Sequence, residues 1–392
     1  MYLPTLHPSC RPDEFSVPQQ QVRRHTEPVN SCHITHLTHH PSHNTHPNHI
    51  TQPTMASPPA TTSEQAADIE VDPTFLRSSP SPSDTDSAIG STTTDVSTSS
   101  LSSTILQYRE IHGRTYHNYT GATAQGTEYW APNDDNANEQ LDVNHHLLTL
   151  SLENKLFLAP LKSPQNVLDV GTGTGIWAID FADEFPEAAV TGIDISPIQP
   201  TWVPPNLKFV VDDATTEWAY PDETFDYVHI RYMVGCVKDW VGLYREAYRC
   251  LKPGGWIEHM DCSVGLWCDD RSIPEGSVLD EWVGIFRKAG PLMGGQDFFL
   301  IEGDEFVKRL EEAGFGEVKT RVVKVPVGSW PADKKLKDIG GVNLFSMHRD
   351  VEAFALYVLT SILKWEIVEA QVFLAKIRSE LKNKAYHGYT LW

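Results

Sequence analysis

Two stretches of this chain follow different rules of patterning. Up to about residue 104 Ser, Thr, Pro and His dominate, and the few apolar positions fall in no period. Such a segment cannot bury enough apolar surface to offset the entropy of ordering it, so residues 1–104 are read as a disordered tail. From residue 105 onward apolar residues become regular. Ile105 to Glu110 opens a short amphipathic segment before Gly113, and Gln140 to Leu158 carries leucines spaced mainly for a helix, closed by Pro160 and Pro164. Short apolar runs then alternate with helical ones. Strands are predicted at Val167–Val170, Val190–Asp194, Leu207–Val211 and Phe225–Arg231, and helices at Gly175–Phe185 and Trp240–Leu251. Leu251 to Glu258 reads as a helix end, a Pro-Gly-Gly turn and a fifth strand. Asp304–Ala313 reads as a helix, Val318–Val327 as a sixth strand, 349–364 and 366–382 as helices, and His387–Trp392 as a last short strand.

Alternation of this kind predicts an α/β fold, with a mostly parallel sheet and helices on both faces. Residues 105–392 suffice for one such domain. Within it 166–392 forms the core, with a helical insertion over 328–385. The segment 105–165 supplies lid helices over the pocket at the carboxyl edge of the sheet.

Composition narrows the partners. The formal net charge is −21, and a chain without a basic field attracts neither nucleic acid nor an anionic membrane, so no direct nucleic acid binding and no membrane association are expected. No apolar run approaches the roughly 20 residues that span a bilayer, and Met1-Tyr2-Leu3-Pro4 does not open a secretory signal. Six cysteines without a C-x-x-C pair fit reduced thiols, hence a cytoplasmic or nuclear protein. His33, His36, His39, His40, His43, His46 and His49 recur about every three residues. Their Ser, Thr, Asn and Pro neighbours supply no scaffold, so low-complexity drift is favoured over a metal site, and no metal is expected.

The chemistry concentrates at Asp169-Val170-Gly171-Thr172-Gly173-Thr174-Gly175-Ile176. Glycines spaced two apart let the backbone approach a ligand, and the helix behind them presents free N–H groups. A dinucleotide fingerprint aligned on Gly171 and Gly173 needs its third glycine where Ile176 stands. Asp194 ends the second strand, about where doubly wound folds place a ribose-binding acid. Asp212 and Asp213 end the third; Asp212 also suits a turn or helix cap.

The spacing D-x-G-x-G-x-G resembles the first motif of class I S-adenosylmethionine-dependent methyltransferases. Arg114-Thr115-Tyr116-His117, Tyr129-Trp130-Ala131-Pro132, Gly175-Ile176-Trp177-Ala178-Ile179, Ser196-Pro197-Ile198-Gln199-Pro200 and His229-Ile230-Arg231-Tyr232 resemble, more narrowly, the fungal LaeA-like (TAM-domain or UMTA-type) methyltransferases across 105–392. The resemblance implies a Rossmann-like sheet of seven strands and S-adenosyl-L-methionine as cofactor. Asp169, Gly171, Gly173 and Gly175 would line its methionine end, Asp194 its ribose and Asp213 or Asp212 its adenine, with Ile195 and Ala214 also cofactor-binding. It also implies a role in fungal secondary metabolism, in some members through velvet-type regulatory protein partners. By the resemblance, the chain is expected to stop inside its last strand, where relatives continue for several residues.

Methyl transfer needs in-line positioning and exclusion of water, plus a base where the acceptor must lose a proton. Arg231 and Tyr232, at the end of the fourth strand, are the favoured acceptor-side residues. His229 suits a satisfied core position. His145 and His146 adjoin on the lid helix, so at most one can face the pocket. Glu258 and His259 are further candidates, and Asp269-Asp270 reads as a solvated loop. Two functions remain open: transfer to a small-molecule acceptor, favoured by a deep apolar pocket, or a regulator acting through a protein acceptor, favoured by an open acidic groove.

Overall fold

The core is a five-stranded parallel sheet whose strand order follows from the crossovers that the helices impose. The computed structural model describes residues 66–75, 108–117 and 129–392. The His-rich run, the rest of the tail and Ile105–Gln107 lie outside the described residues. The strands are β3 (Asn166–Val170), β4 (Ala189–Asp194), β5 (Leu207–Val211), β6 (Phe225–Arg231) and β7 (Leu251–Met260), in the order β5-β4-β3-β6-β7. Before them stand β1 (Arg109–Ile111), β2 (Arg114–Tyr116) and α1 (Asp135–Ser151). Helices α2 (Ile176–Glu184) and α3 (Trp240–Cys250) make crossovers, and α4 (Val278–Leu292) and α5 (Glu305–Glu312) follow β7. Beyond β8 (Lys324–Pro326) come α6 (Lys334–Arg349), α7 (Val351–Tyr357), a π-helical turn over Val358–Ile362, α8 (Ile367–Leu381) and β9 (Tyr389–Leu391).

Strand periodicity sorts the side chains. Leu168, Val170, Val228 and Ile230 pack with α3 residues Trp240, Leu243 and Tyr244. Val167 and Tyr227 pack with Trp177 and Phe181 of α2. The intervening positions bring Gly192, Asp169, His229 and Glu258 into one row, because Asp169 pairs with Gly192 and His229, and His229 with Glu258.

Several expectations are corrected. The sheet has five strands, not seven. Cys262 N–H donates to the Asp261 carboxylate, and the chain leaves the ladder after Met260. β9 then meets that chain by backbone bonds at Ser263 and Trp267 and by the Tyr389 hydroxyl on Asp269, so β8–β9 stands as a separate antiparallel pair. Val318–Val327 shortens to β8. Pro253-Gly254-Gly255 is an irregularity inside β7, where the register against β6 shifts between Phe225 and Tyr227. Residues 109–116 are a hairpin rather than a lid helix. His112 and Gly113 both take positive φ (51° and 77°), the turn geometry that matches strand twist. α1 starts earlier than expected, capped by Asp134, and ends at Ser151, where Glu153 and Asn154 turn left-handed. α4 was not anticipated.

Residues 66–75 lie inside the stretch whose composition argued for disorder, yet they are tied down. Val71 bridges Pro331, Asp72 N–H donates to Trp330 O at 2.8 Å, and Ala332 N–H donates to Glu70 O at 2.7 Å. Ion pairs of Asp72 with Lys337 and of Asp68 with Lys324 flank this contact. Two lysines thus help to hold a segment whose Ile69, Val71 and Phe75 are only half-buried.

Arg114 fastens the β1–β2 hairpin to two helix starts. Its guanidinium reaches Asp134 at 2.6 Å and Asp350 at 2.7 Å, and these carboxylates cap α1 and α7 through Ala137 and Ala353 N–H. Arg114→Ala leaves two largely buried carboxylates without their cation, and is expected to lower stability by about 3–5 kcal/mol. Urea unfolding of the variant checks this; a loss near zero would show that water replaces the guanidinium.

Candidate active site

The glycine turn after β3 is pinned by acids on both sides. Asp169 is buried; its Oδ2 accepts the Thr172 hydroxyl at 2.6 Å, and its Oδ1 faces His229 Nδ1 at 2.7 Å. Beyond it Asp194 accepts Gly173 N–H and Ser196 N–H, each at 2.9 Å. Gly171, Gly173 and Gly175 all have positive φ. A Cβ on Gly175 would sit 2.3 Å from Phe209 Cζ and one on Gly171 2.8 Å from Met233 Sδ, whereas one on Gly173 would meet only Leu141 Cδ1, at 3.4 Å. Space above Gly173 is therefore cleft, and close approach of a ligand to its backbone is what a side chain would block.

Asp169, Gly171, Gly173, Asp194, Ile195, Asp212, Asp213 and Ala214 line this one cleft, with His145, His229, Arg231 and Tyr232. Gly175 stands behind the turn, under Phe209. His146 is corrected: it is exposed on α1 and faces away. Asp212 Oδ1 accepts Asp213 N–H, and Asp213 Oδ1 accepts the Thr215 N–H and hydroxyl. The turn role of each occupies one carboxylate oxygen, Oδ1.

Burial sets the charges. Asp194 is raised to about 6 by desolvation, with the Asp169 carboxylate adding repulsion, against the lowering effect of its N–H bonds. His229 is stacked on Trp177, ring centroids 3.6 Å apart, and burial holds it down at about 4 despite the Asp169 bond. His229 is thus a neutral imidazole whose Nδ1–H donates to Asp169. His145 bridges two groups: Arg231 Nη2–H donates to its Nδ1 at 2.9 Å, so Nε2–H donates to Asp180 at 2.9 Å. Burial and the neighbouring guanidinium lower its pKa. Tyr232 has φ 58° at the strand end, stacks on Trp392 at 5.5 Å and bonds Asn144. Burial drives its phenol well above the ordinary value.

Sequence reasoning missed four contributors. Asp180 is one turn into α2, Asp142 accepts the Thr174 hydroxyl at 2.7 Å, Gln199 donates to Gly173 O at 2.7 Å, and Trp392 supplies the ring under Tyr232. Only Gln199 carried a signal, inside the Ser196–Pro200 motif.

A donor set of open glycine backbone, a desolvated acid at the end of β4 and two acids beyond β5 fits an adenosine carrying an amino-acid tail. Fold and site define a class I S-adenosylmethionine-dependent methyltransferase. A family model described as a methyltransferase domain matches residues 143–319. The chain is 38% identical over 298 residues to the methyltransferase pytC of Aspergillus terreus, covering 75% of this chain and 89% of that protein. It is 30% identical over 287 residues to the protein-methionine methyltransferase laeA of Emericella nidulans, covering 73% of this chain and 75% of that one. Among solved structures it is similar to phosphoethanolamine N-methyltransferase 2 of Haemonchus contortus in complex with S-adenosyl-L-methionine, at 20% identity and a TM-score of 0.35, covering 65% and 51% of the two chains. The protein belongs to the LaeA-like family of fungal methyltransferases.

The neutral state of His229 has a measurable consequence. Unfolded, it takes a proton at its ordinary 6.5; folded, it stays neutral down to about 4. Stability is therefore lost as pH falls through that window. The parent should lose about 1.4 kcal/mol per pH unit relative to His229→Gln, a comparison that cancels the opposite contribution of Asp194. A pH-independent difference would show that His229 is charged in the fold.

Proposed function

We propose that this protein transfers a methyl group to a small-molecule acceptor of fungal secondary metabolism, in the cytoplasm or nucleus, with α1 as the lid of its cleft. The observation that carries this reading is the roof. Leu141 and Leu148 of α1 line the cleft together with Ile176, Met233 and Cys236, so the acceptor enters beneath an apolar roof rather than an open groove, and the acids are confined to the strand ends. Among the described residues no helix is long and apolar enough to cross a membrane.

S-adenosyl-L-methionine supplies an electrophilic methyl group on a sulfonium. In this reading Gly171 and Gly173 offer backbone to its methionine end, Asp194 and Ile195 take the ribose, and Asp212, Asp213 and Ala214 frame the adenine. The chain's own contribution is positioning and exclusion of water. Both nitrogens of His145 are engaged, His229 is a weak base at about 4, and the Tyr232 phenol holds its proton. These residues orient the acceptor. The chemistry they suit best is an acceptor atom already nucleophilic at neutral pH. The second reading, a regulator with a protein acceptor or velvet-type partners, is favoured by the Emericella nidulans relative, named a protein-methionine methyltransferase and a secondary metabolism regulator.

Binding tests the cofactor residues. S-adenosylhomocysteine at about 100 times its Kd should stabilise the protein by about 2.7 kcal/mol. Gly173→Ala meets no clash and costs about 1–2 kcal/mol for its left-handed backbone, so it should fold yet lose that stabilisation. Affinity should also fall about tenfold from pH 7 to pH 5, as Asp194 takes up its proton near 6. A flat pH profile would remove Asp194 from the ribose site.

The acceptor class is read by incubating the full-length protein with cell extract and isotopically labelled S-adenosylmethionine, followed by mass analysis. Label in low-mass metabolites is expected. Label confined to protein would transfer the argument to the regulator reading.

A further inference from the structure

Arg231 is a half-buried, desolvated cation whose surroundings offer it a field but, among the described residues, no ion-pair contact. It ends β6 and lines the cleft. Among the described residues its guanidinium makes one hydrogen bond, from Nη2–H to the neutral His145 Nδ1 at 2.9 Å, and no carboxylate lies within ion-pair distance. Asp169, Asp180 and Glu258 are the carboxylates that act on it electrostatically, and each is committed to other donors. Asp169 is held by Thr172 and His229, Asp180 by His145, and Glu258 by the N–H groups of Leu158 and Ala159. Desolvation outweighs their combined attraction and lowers the Arg231 pKa to about 10. A guanidinium carries five donors in a planar fork, and carboxylate is the anion that fork matches in bidentate fashion.

We propose that Arg231 is a carboxylate-binding subsite of the cleft, aligned by the Asp180–His145 pair, and that the carboxylate it takes is either that of the cofactor's methionine end or an acid group on the methyl acceptor. This rests on the reading of the cleft as the cofactor site. Asp180 and His145 are positioning residues here. Asp180 accepts Nε2–H and so fixes the tautomer that presents a lone pair to Arg231, leaving the outer edge of the fork for a ligand. The Nη2–H bond to His145 costs the fork one donor and removes one torsional choice. An anion in the cleft would then meet a pre-set partner.

Two arms of one experiment on the full-length protein separate the sources. Calorimetry compares S-adenosylhomocysteine with its decarboxylated analogue on the parent and Arg231→Gln. If the cofactor carboxylate sits on Arg231, the variant binds S-adenosylhomocysteine at least tenfold more weakly and the analogue as well as the parent does. The analogue's unchanged affinity also reports that the variant is folded. In the second arm benzoate is added to protein saturated with S-adenosylhomocysteine. An acceptor-acid site makes benzoate raise the melting temperature of the parent and not of the variant. Arg231→Lys keeps the charge and loses the fork; should Arg231→Gln not fold, the same selective loss in Arg231→Lys stands in for it. Equal affinities of parent and variants for S-adenosylhomocysteine, together with no Arg231-dependent benzoate effect, would overturn the proposal while leaving the cofactor reading intact. A parent that binds no S-adenosylhomocysteine would instead overturn the cofactor reading and the first source with it.

Discussion

The contact between Asp169 and His229 is the constraint on which the site depends. Both are buried on adjacent strands in matching register, and either one alone would be a polar group in the sheet interior without its partner, a loss of about 1–3 kcal/mol or more for a charged group. Together they satisfy each other and leave Asp169 Oδ2 for Thr172. That bond sets where the chain leaves β3. Thr172 N–H then donates to Ile193 O on β4, and Gly173 N–H to Asp194, so the turn is fastened across three strands before any ligand arrives. Trp177 stacked on His229 closes the interior side of the arrangement. The glycines supply permission for this path, and the two acids supply its direction.

Much of the site was legible in the sequence because it is local. A glycine turn, an acid at a strand end and a pair of acids after the next strand are each read within a few residues, and the parallel sheet follows from their alternation with helices. His229 was legible only as a core position. Its role as the partner of Asp169 needs the β3–β6 register, which sequence spacing does not contain. Asp180 and Trp392 were invisible for the same reason, one exposed on a helix and the other at the chain's last position. Composition misjudged residues 66–75, since their hold on the domain comes from backbone pairing and two lysines rather than from an apolar stripe. The hairpin at 109–116 was hidden by its shortness: three residues per strand show no usable period.

The cover of the cleft is fastened through polar groups, and this shapes how it can open. α1 meets α2 through Asp142 with Thr174 and through His145 with Asp180. It meets α6 through a buried network in which the Ser346 hydroxyl donates to Asn144 and accepts from Gln140, and Arg114 holds its first turn. Each neutral contact contributes on the order of 1 kcal/mol, so opening one end of α1 costs little while lifting the whole helix costs several at once. Motion of the cover is therefore expected to start at an end. At the carboxyl end the helix stops at left-handed Glu153 and Asn154, and Glu258 holds the Leu158 and Ala159 N–H groups beyond it.

The same polar inventory gives the cleft a direction in charge. Among the described residues Asp169, Asp194, Asp212 and Asp213 line it against one arginine, Arg231, in a chain with a net charge of −21. The methyl donor carries a sulfonium charge that disappears on transfer, so in the proposed reading these acids favour the donor over the spent product. Burial limits how far this can go, because an acid too deeply desolvated takes up a proton instead. Asp194 stands near that limit, at about 6, kept ionised at neutral pH by the N–H groups of Gly173 and Ser196. The backbone of the glycine turn and the acid beneath it thus stabilise each other: the turn holds the charge on the carboxylate, and the carboxylate holds the turn in the shape that leaves Gly173 open to the cleft.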